Sequence, residues 1–215
     1  MAEIVARIFT TIFGSHSMIA TLVVSMFPII ELKGAIPLGM SVEFWGENAL
    51  SERQAFLISL IGSCLVIPII ALVFRPILNY MKNTKAFKRL AEFILNKVKK
   101  SSEKVELKTR KQTISPGAKT LLKMIGIFLF VADPFPFTGV WTGTCIGVII
   151  GLKFWQVVIA NVLGNIVSAT LVTFVCSAFP QFTDIMFYVV IAIVLIGVIY
   201  GLVKTLYSNK KQKES

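Results

Sequence analysis

The stretch ELKGAIPLG at residues 31–39 interrupts a long apolar segment that begins at Met18. A second stretch, DPFPFTG at residues 133–139, interrupts the apolar segment of residues 124–151. Each interruption brings one acidic residue into otherwise apolar sequence. Backbone without helical hydrogen bonds is tolerated at membrane depth only where protein buries it or where it lines a cavity. Paired interruptions of this kind therefore predict a binding site.

The composition is that of a multi-pass, all-α integral membrane protein. Hydrophobic residues make up 55% of the 215 residues and charged residues only 15%, which is unusual for a soluble domain. Three further segments are long and apolar enough to cross about 30 Å of hydrocarbon as helices, namely residues 55–74, 154–179 and 183–203. The N-terminus lacks the pattern of a removable signal peptide, and residues 1–16 are predicted to lie at the membrane interface.

The net charge of +11 is concentrated in residues 75–123, and four further lysines crowd the tail at residues 204–215. The charged residues within 43–53 are instead three glutamates and one arginine. Because basic residues beside transmembrane helices mark the cytoplasmic side, the loop of residues 75–119 and the tail are predicted to face the cytoplasm from the cell membrane. Such basic residues usually report topology and lipid headgroups, so no nucleic-acid partner is expected.

Charge placement also restricts the crossings in the second interrupted segment. Residues 120–151 must begin and end on the cytoplasmic side, because the helix at residues 154–179 leads outward and the helix at residues 183–203 returns. The apolar pieces on either side of the break are about 11 and 12 residues long, or roughly 17 to 18 Å at helical rise. Each piece spans about half of the hydrocarbon, which predicts a re-entrant hairpin that opens to the cytoplasm.

The first interrupted segment, residues 17–48, is predicted to be a mirror image that opens outward. A single kinked crossing satisfies the charges as well, and this alternative stays open. With the hairpin, the chain consists of two inverted re-entrant hairpins, each followed by a transmembrane helix, plus a final transmembrane helix. Inverted repeats are typical of secondary transporters, whose site lies near the membrane midplane where discontinuous helices meet.

The cytoplasmic loop is predicted to contain a basic amphipathic helix. Between Phe87 and Val98, apolar residues recur at spacings of three and four, with lysines and arginines on the flanks and on the other face. Such a helix is expected to lie on the anionic lipids of the inner leaflet.

The acidic residues of the two breaks are the first functional candidates. An acid at the membrane centre costs about 2.5 to 3.5 kcal/mol on insertion scales, so Glu31 and Asp133 are expected to take up protons or coordinate cations. The structural alternatives are that Glu31 pairs with Lys33, in extended backbone that lets both share a face, and that Asp133 caps the helix after the break. Lys33 is either that salt-bridge partner or an anchor for an anionic group.

The helix after the second break adds a polar face. Asn161, Gly164, Asn165 and Ser168 lie on one side of it and are expected either to line the pocket or to satisfy backbone groups of the break. The candidate coupling and substrate-binding residues are Glu31, Lys33, Asp133, Thr138, Trp141, Thr142, Asn161 and Asn165. The candidate break-forming residues are Gly34, Pro37, Pro134, Pro136 and Gly139. The stripe Gly139, Gly143, Gly147 and Gly151 predicts close helix packing and permits a homodimer.

The two motifs ELKGAIPLG and PFPFTGVWTG together resemble the small multidrug export protein family, in order and spacing over nearly the whole chain. Two positions depart from the family pattern: Lys33 stands where arginine is common, and Phe137 where glycine is common. The layout is also similar, more distantly, to the DedA membrane proteins. These resemblances imply export of a small molecule and movement of a lipid-phosphate carrier, respectively.

The sequence therefore favours a transporter with a midplane site between the two breaks, coupled to protons or ions, for a small amphipathic or anionic lipid-like substrate. A DedA-like lipid-phosphate translocase is the alternative, and a structural or lipid-scaffolding protein is a further one. An enzyme is not expected, because the single histidine and the two intramembrane acids do not form a nucleophile–base pair. Neither a metal nor another cofactor is expected.

Overall fold

The computed structural model describes residues 13–81, 115–135 and 138–179, and every regular element in these ranges is helical. The helices are α1 (Ser17–Met26), α2 (Glu31–Met40), α3 (Val42–Trp45), a 3₁₀ turn (Gly46–Asn48), α4 (Glu52–Met81), α5 (Pro116–Ala132), α6 (Val140–Ile149) and α7 (Phe154–Ala178). Several predictions lie outside the described residues: the interfacial segment up to residue 12, the amphipathic helix, Pro136, the helix at residues 183–203 and the basic tail.

Two of the described helices are long and apolar enough to cross a membrane, over Glu52–Ile77 of α4 and over Phe154–Ala178. They contain the segments predicted at residues 55–74 and 154–179, apart from the last residue of the second. The chain divides into two compact units, of which the first holds residues 1–62 and 169–215 and the second residues 63–168. Both long helices contribute to both units.

In the first unit, α1 and α2 pack against each other and are joined by residues 27–30. The break therefore precedes Glu31 rather than containing it. The helix α1 ends before Pro28, because a proline disfavours helical backbone at the residue before it, and Phe27 is extended with ψ 139°. Gly34 and Pro37 lie inside α2 and do not form the break.

The turn of the first hairpin has unusual backbone geometry. Ile29 has φ 79° and Glu31 has φ 48°, a region in which a β-branched residue such as isoleucine is an outlier. The turn nevertheless continues helical hydrogen bonding, because the amide of Glu31 donates to the carbonyl of Phe27 at 3.0 Å and the amide of Gly34 to that of Ile30 at 3.0 Å. The reversal is thus short and tightly bonded.

In the second unit, α5 and α6 also pack against each other. Ser115 caps α5 by accepting a hydrogen bond from the amide of Ala118 at 3.3 Å, and the helix ends where Asp133 precedes Pro134. Gly139 directly precedes α6, so Pro134 and Gly139 lie at the break as predicted. With 17 residues, α5 is about 25 Å long, which exceeds half a bilayer. That either hairpin re-enters a membrane stays a prediction.

The same kind of close contact recurs in each unit, where a glycine of the long helix meets the first helix of the hairpin. A methyl group at Gly62 of α4 would lie 2.6 Å from the carbonyl oxygen of Leu22 in α1. One at Gly164 of α7 would lie 2.6 Å from the carbonyl oxygen of Phe128 in α5. An internal repeat, with one copy inverted, stays a prediction.

Candidate functional site

The helix α2 is enclosed by protein in the first unit. Leu32 and Ile36 pack into a buried cluster whose other members are Leu50, Ala55, Ala169, Val172 and Cys176. Ala35 and Leu38 belong to a second cluster that includes Ala20, Val24 and Trp45. All nine residues from Glu31 to Gly39 are buried. The motif that interrupts the apolar sequence is therefore the most enclosed segment of this unit's hairpin.

Glu31 and Lys33 are both buried, with 4% and 5% of their surfaces exposed. Both lie in α2, where residues two apart do not face each other. The extended backbone expected for them is therefore absent, and their pairing stays a prediction. Buried charges are costly unless they are paired or hydrogen-bonded, and one acid and one base on the same segment reduce the net charge that is buried. A carboxyl group in such a place can exchange a proton or bind a cation, and an ammonium can bind an anion.

The C-terminal end of α2 is held by a tryptophan that the sequence did not mark as functional. The indole Nε1 of Trp45 donates to the carbonyl of Leu38 at 2.8 Å, and the amide of Leu50 donates to that of Gly39 at 2.8 Å. These bonds add donors to carbonyl groups at the helix end, where the Leu38 carbonyl otherwise accepts only the long bond from the Ser41 amide at 3.4 Å. The residues after α2 therefore fold back on it and fix its position.

Asp133 organises the loop between α5 and α6. Its Oδ1 accepts from the amide of Phe135 at 2.9 Å, while the hydroxyl of Thr138 donates to the carbonyls of Asp133 at 3.1 Å and Phe135 at 2.7 Å. Asp133 is half-buried and ends α5, so it ties the loop rather than capping α6. It follows the first helix of its hairpin, as Phe27 does in the other unit, whereas Glu31 begins the second helix.

The two other candidates near this break differ in exposure. Trp141 is half-buried and Thr142 is exposed, and both belong to the first turn of α6. A role for them in substrate contact stays a prediction.

The predicted polar face of α7 is buried in the second unit. Asn161, Asn165 and Ser168 are at most 1% exposed. The Nδ2 of Asn161 donates to the carbonyl of Val157 in its own helix at 2.7 Å, and the Nδ2 of Asn165 donates to Ser63 Oγ of α4 at 3.1 Å. These donors therefore go to helices and not to the backbone of the break.

Several buried oxygen atoms of this unit accept no hydrogen bond from the described residues. They are Oδ1 of Asn161, Oδ1 of Asn165, Oγ1 of Thr144 and Oγ of Ser168. Sequence reasoning missed Thr144, because a hydroxyl in an apolar helix gives no periodic signal. The glycine stripe is confirmed as packing at two positions. A methyl group at Gly143 would lie 2.5 Å from Val131 Cγ2, and one at Gly147 would lie 2.9 Å from Ile127 Cδ1.

Two basic side chains hold the turn that follows α6. Arg75 Nη2 donates to the carbonyl of Leu152 at 2.9 Å, and Lys123 Nζ donates to that of Ile150 at 2.9 Å. Cations near the carbonyl end of a helix interact favourably with its dipole. These two residues come from α4 and α5, so they connect three helices of the second unit.

We expect Arg75→Ala to lower the free energy of unfolding by about 1.5 to 3 kcal/mol, the range for a hydrogen bond to a charged group. Thermal unfolding in detergent micelles measures the change. Arg53→Ala is the matched control, because Arg53 is exposed at the start of α4 and its loss should change stability by less than about 0.5 kcal/mol. Equal effects of the two substitutions would contradict a role for the Arg75 contact.

Comparison with known proteins shows a match between this chain and one protein family. A family model described as "Putative small multi-drug export protein" matches residues 31–171. The match begins at the first residue of α2, ends within α7 and includes every candidate residue predicted from the sequence. Searches of curated proteins and of solved structures returned no match. The distant resemblance to DedA proteins is not shown by these comparisons.

Proposed function

The chain belongs to the small multi-drug export protein family, and we propose that it moves a small amphipathic or anionic, lipid-like molecule across the cell membrane. The family assignment and the two long apolar helices support a membrane export protein. Export rather than catalysis also agrees with the family description.

The observation that carries the proposal is the burial of an acid and a base in the enclosed helix α2. Glu31 and Lys33 are the only charged residues that are buried among those the structure describes. Ionisable residues inside a membrane segment are costly and are typically functional. A structural or lipid-scaffolding protein needs neither charge, because an apolar α2 would pack with less desolvation cost.

The two charges have different tasks in this proposal. Glu31 couples transport to protons or cations, because a carboxyl group can release and take up a proton or cation as its surroundings change. Lys33 binds the anionic group of the substrate. Asp133 is the second candidate for coupling, and its Oδ1 accepts a hydrogen bond from the amide of Phe135 within the loop.

A lipid-phosphate carrier is the second candidate substrate, and the burial of Lys33 favours it. An ammonium binds phosphate oxygens as a strong point charge, whereas a neutral or cationic drug gains nothing from it. An amphipathic cation is the substrate class that this reasoning disfavours.

Transport by the purified full chain in proteoliposomes tests the proposal. A fluorescent lipid phosphate and an amphipathic cationic dye are the two probes, each measured with and without a pH gradient. We expect movement of the lipid phosphate above the rate in protein-free vesicles and loss of the gradient effect when a protonophore is added. Equal rates with and without protein, for both probes, would contradict the proposed function.

A further inference from the structure

We propose that the second unit binds a dehydrated monovalent metal cation, Na⁺, through the side-chain oxygens of Asn161, Asn165 and Thr144. These three residues are at most 1% exposed. Their oxygen atoms accept no hydrogen bond from the described residues. Buried polar atoms are nearly always satisfied in folded proteins, so a group of unsatisfied acceptors indicates a missing partner.

The orientation of Asn161 follows from its bonds. Its Nδ2 must face the carbonyl of Val157, to which it donates at 2.7 Å, because a carbonyl oxygen in that place would meet another acceptor. The Oδ1 therefore points away from that carbonyl. It lies 2.6 Å from the position that a Cβ atom at residue 143 would occupy. Because residue 143 is a glycine without a side chain, there is space for this oxygen.

The other two proposed ligands are buried oxygens on α6 and α7 of the same unit. Thr144 directly follows Gly143 in α6, and its hydroxyl is fully buried. Asn165 lies one turn after Asn161 on the same face of α7, where side chains four residues apart are neighbours. Ser168 continues this face with a further unsatisfied hydroxyl.

A cation fits these groups better than an anion. Carbonyl and hydroxyl oxygens are the ligands of hard cations, and both asparagines already use Nδ2 as a donor. The negative end of α5 adds to the attraction, because the last carbonyls of a helix carry partial negative charge. Gly164, between the two asparagines, would place a methyl group 2.6 Å from the Phe128 carbonyl and 3.2 Å from the Ala132 amide nitrogen.

The chemistry of the ligands also selects the kind of cation. Ca²⁺ sites rely on carboxylates, and Mg²⁺ keeps several waters because it dehydrates reluctantly. The proposed ligands are uncharged, so a monovalent ion matches them better. The close approach of α5 to α7 at Gly164 and of α6 to α7 at Gly143 favours Na⁺ over the larger K⁺. Binding of Na⁺ does not depend on the proposed transport and can be measured without it.

The test is thermal unfolding of the purified full chain in detergent, titrated with NaCl, KCl or choline chloride at constant ionic strength. We expect Na⁺ to raise Tm in a saturable manner and K⁺ and choline to have little effect, because a ligand that binds only the folded state stabilises it. Thr144→Val removes one oxygen with little change in shape and should weaken the apparent Na⁺ affinity about tenfold or more. Asn165→Asp should strengthen it, because a carboxylate replaces a neutral ligand.

Asn161→Ala removes a proposed ligand and should also weaken the Na⁺ response. Asn48→Ala is its matched control, because Asn48 is exposed in the first unit and its loss should leave the Na⁺ response unchanged. If Asn161→Ala fails to fold, Thr144→Val and Asn165→Asp still decide the outcome. The proposal is overturned if all three salts shift Tm equally, or if the Na⁺ response is the same in these variants as in the unaltered chain. A shift produced by methylammonium and not by Na⁺ would also overturn it, because the acceptors would then bind a hydrogen-bond donor.

Discussion

Glu31→Gln should reduce gradient-driven transport about tenfold or more while leaving the chain folded. Glutamine has nearly the same shape as glutamate and retains hydrogen bonding, but it cannot release a proton or carry a negative charge. Glu31 is buried in α2, so bulk water does not take over the role of the missing carboxylate. The measurement is the initial rate of lipid-phosphate movement in proteoliposomes with an imposed pH gradient, at equal amounts of inserted protein.

Glu52→Gln provides the matched control for this substitution. Glu52 is exposed at the start of α4, so Glu52→Gln makes the same chemical change outside the site. The transport rate of this variant should equal that of the unaltered chain. Lys33→Met, compared with Lys153→Met at an exposed lysine, separates substrate binding from coupling. It should lower transport of the anionic probe even without a gradient. An undiminished rate in Glu31→Gln would exclude Glu31 as the coupling group.

Gly164→Ala should destabilise the protein by about 1 to 3 kcal/mol, the cost of overpacking a tightly packed interior. The added methyl group would lie 2.6 Å from the carbonyl oxygen of Phe128 and 2.9 Å from Cβ of Val131. The nearest atom belongs to the backbone of α5, which cannot rotate away as a flexible side chain can. Gly62→Ala should have a similar effect, because its methyl group would meet the Leu22 carbonyl at 2.6 Å.

The control for these glycine substitutions is Gly126→Ala in α5. Apart from its own helix backbone and chain neighbours, no atom of the described residues lies within 4 Å of a methyl group at that position, and alanine is favoured over glycine in a helix by about 1 kcal/mol. Thermal unfolding in the same detergent should therefore show a higher Tm for Gly126→Ala and a lower Tm for Gly164→Ala. A change of the same sign in both would show that helix propensity, rather than contact with α5, determines the result.

Much of the helical framework was predictable from hydropathy and proline placement. The helix predicted at residues 154–179 is α7, and the break before α6 lies between Pro134 and Gly139 as expected, because proline ends a helix through local sterics. The helix predicted at residues 55–74 is longer at both ends. Hydropathy delimits the apolar part of a helix, whereas hydrogen bonding continues into the flanking polar residues.

The first break was placed four residues too late for an identifiable reason. Polarity begins at Glu31, and the actual turn at residues 27–30 is apolar apart from its backbone, so hydropathy gave no signal there. Pro28 was the available clue, because it restricts Phe27 in the way that Pro134 restricts Asp133. Pro37 gave the opposite, misleading clue, since it lies within α2 and its effect is offset by packing on the surrounding clusters.

Residue type and short-range periodicity alone determine which segments of the chain are apolar and helical. Those properties determine the apolar helices, the glycine positions and the polar face of α7, because helix formation and membrane partitioning depend on neighbours within a few residues. The burial of Glu31 and Lys33, the bond from Asn165 to Ser63 and the unsatisfied Oδ1 of Asn161 beside Gly143 arise only when distant segments pack together. Whether a polar group finds a partner is decided by that packing, and the candidate binding chemistry of this protein therefore became visible only in its tertiary structure.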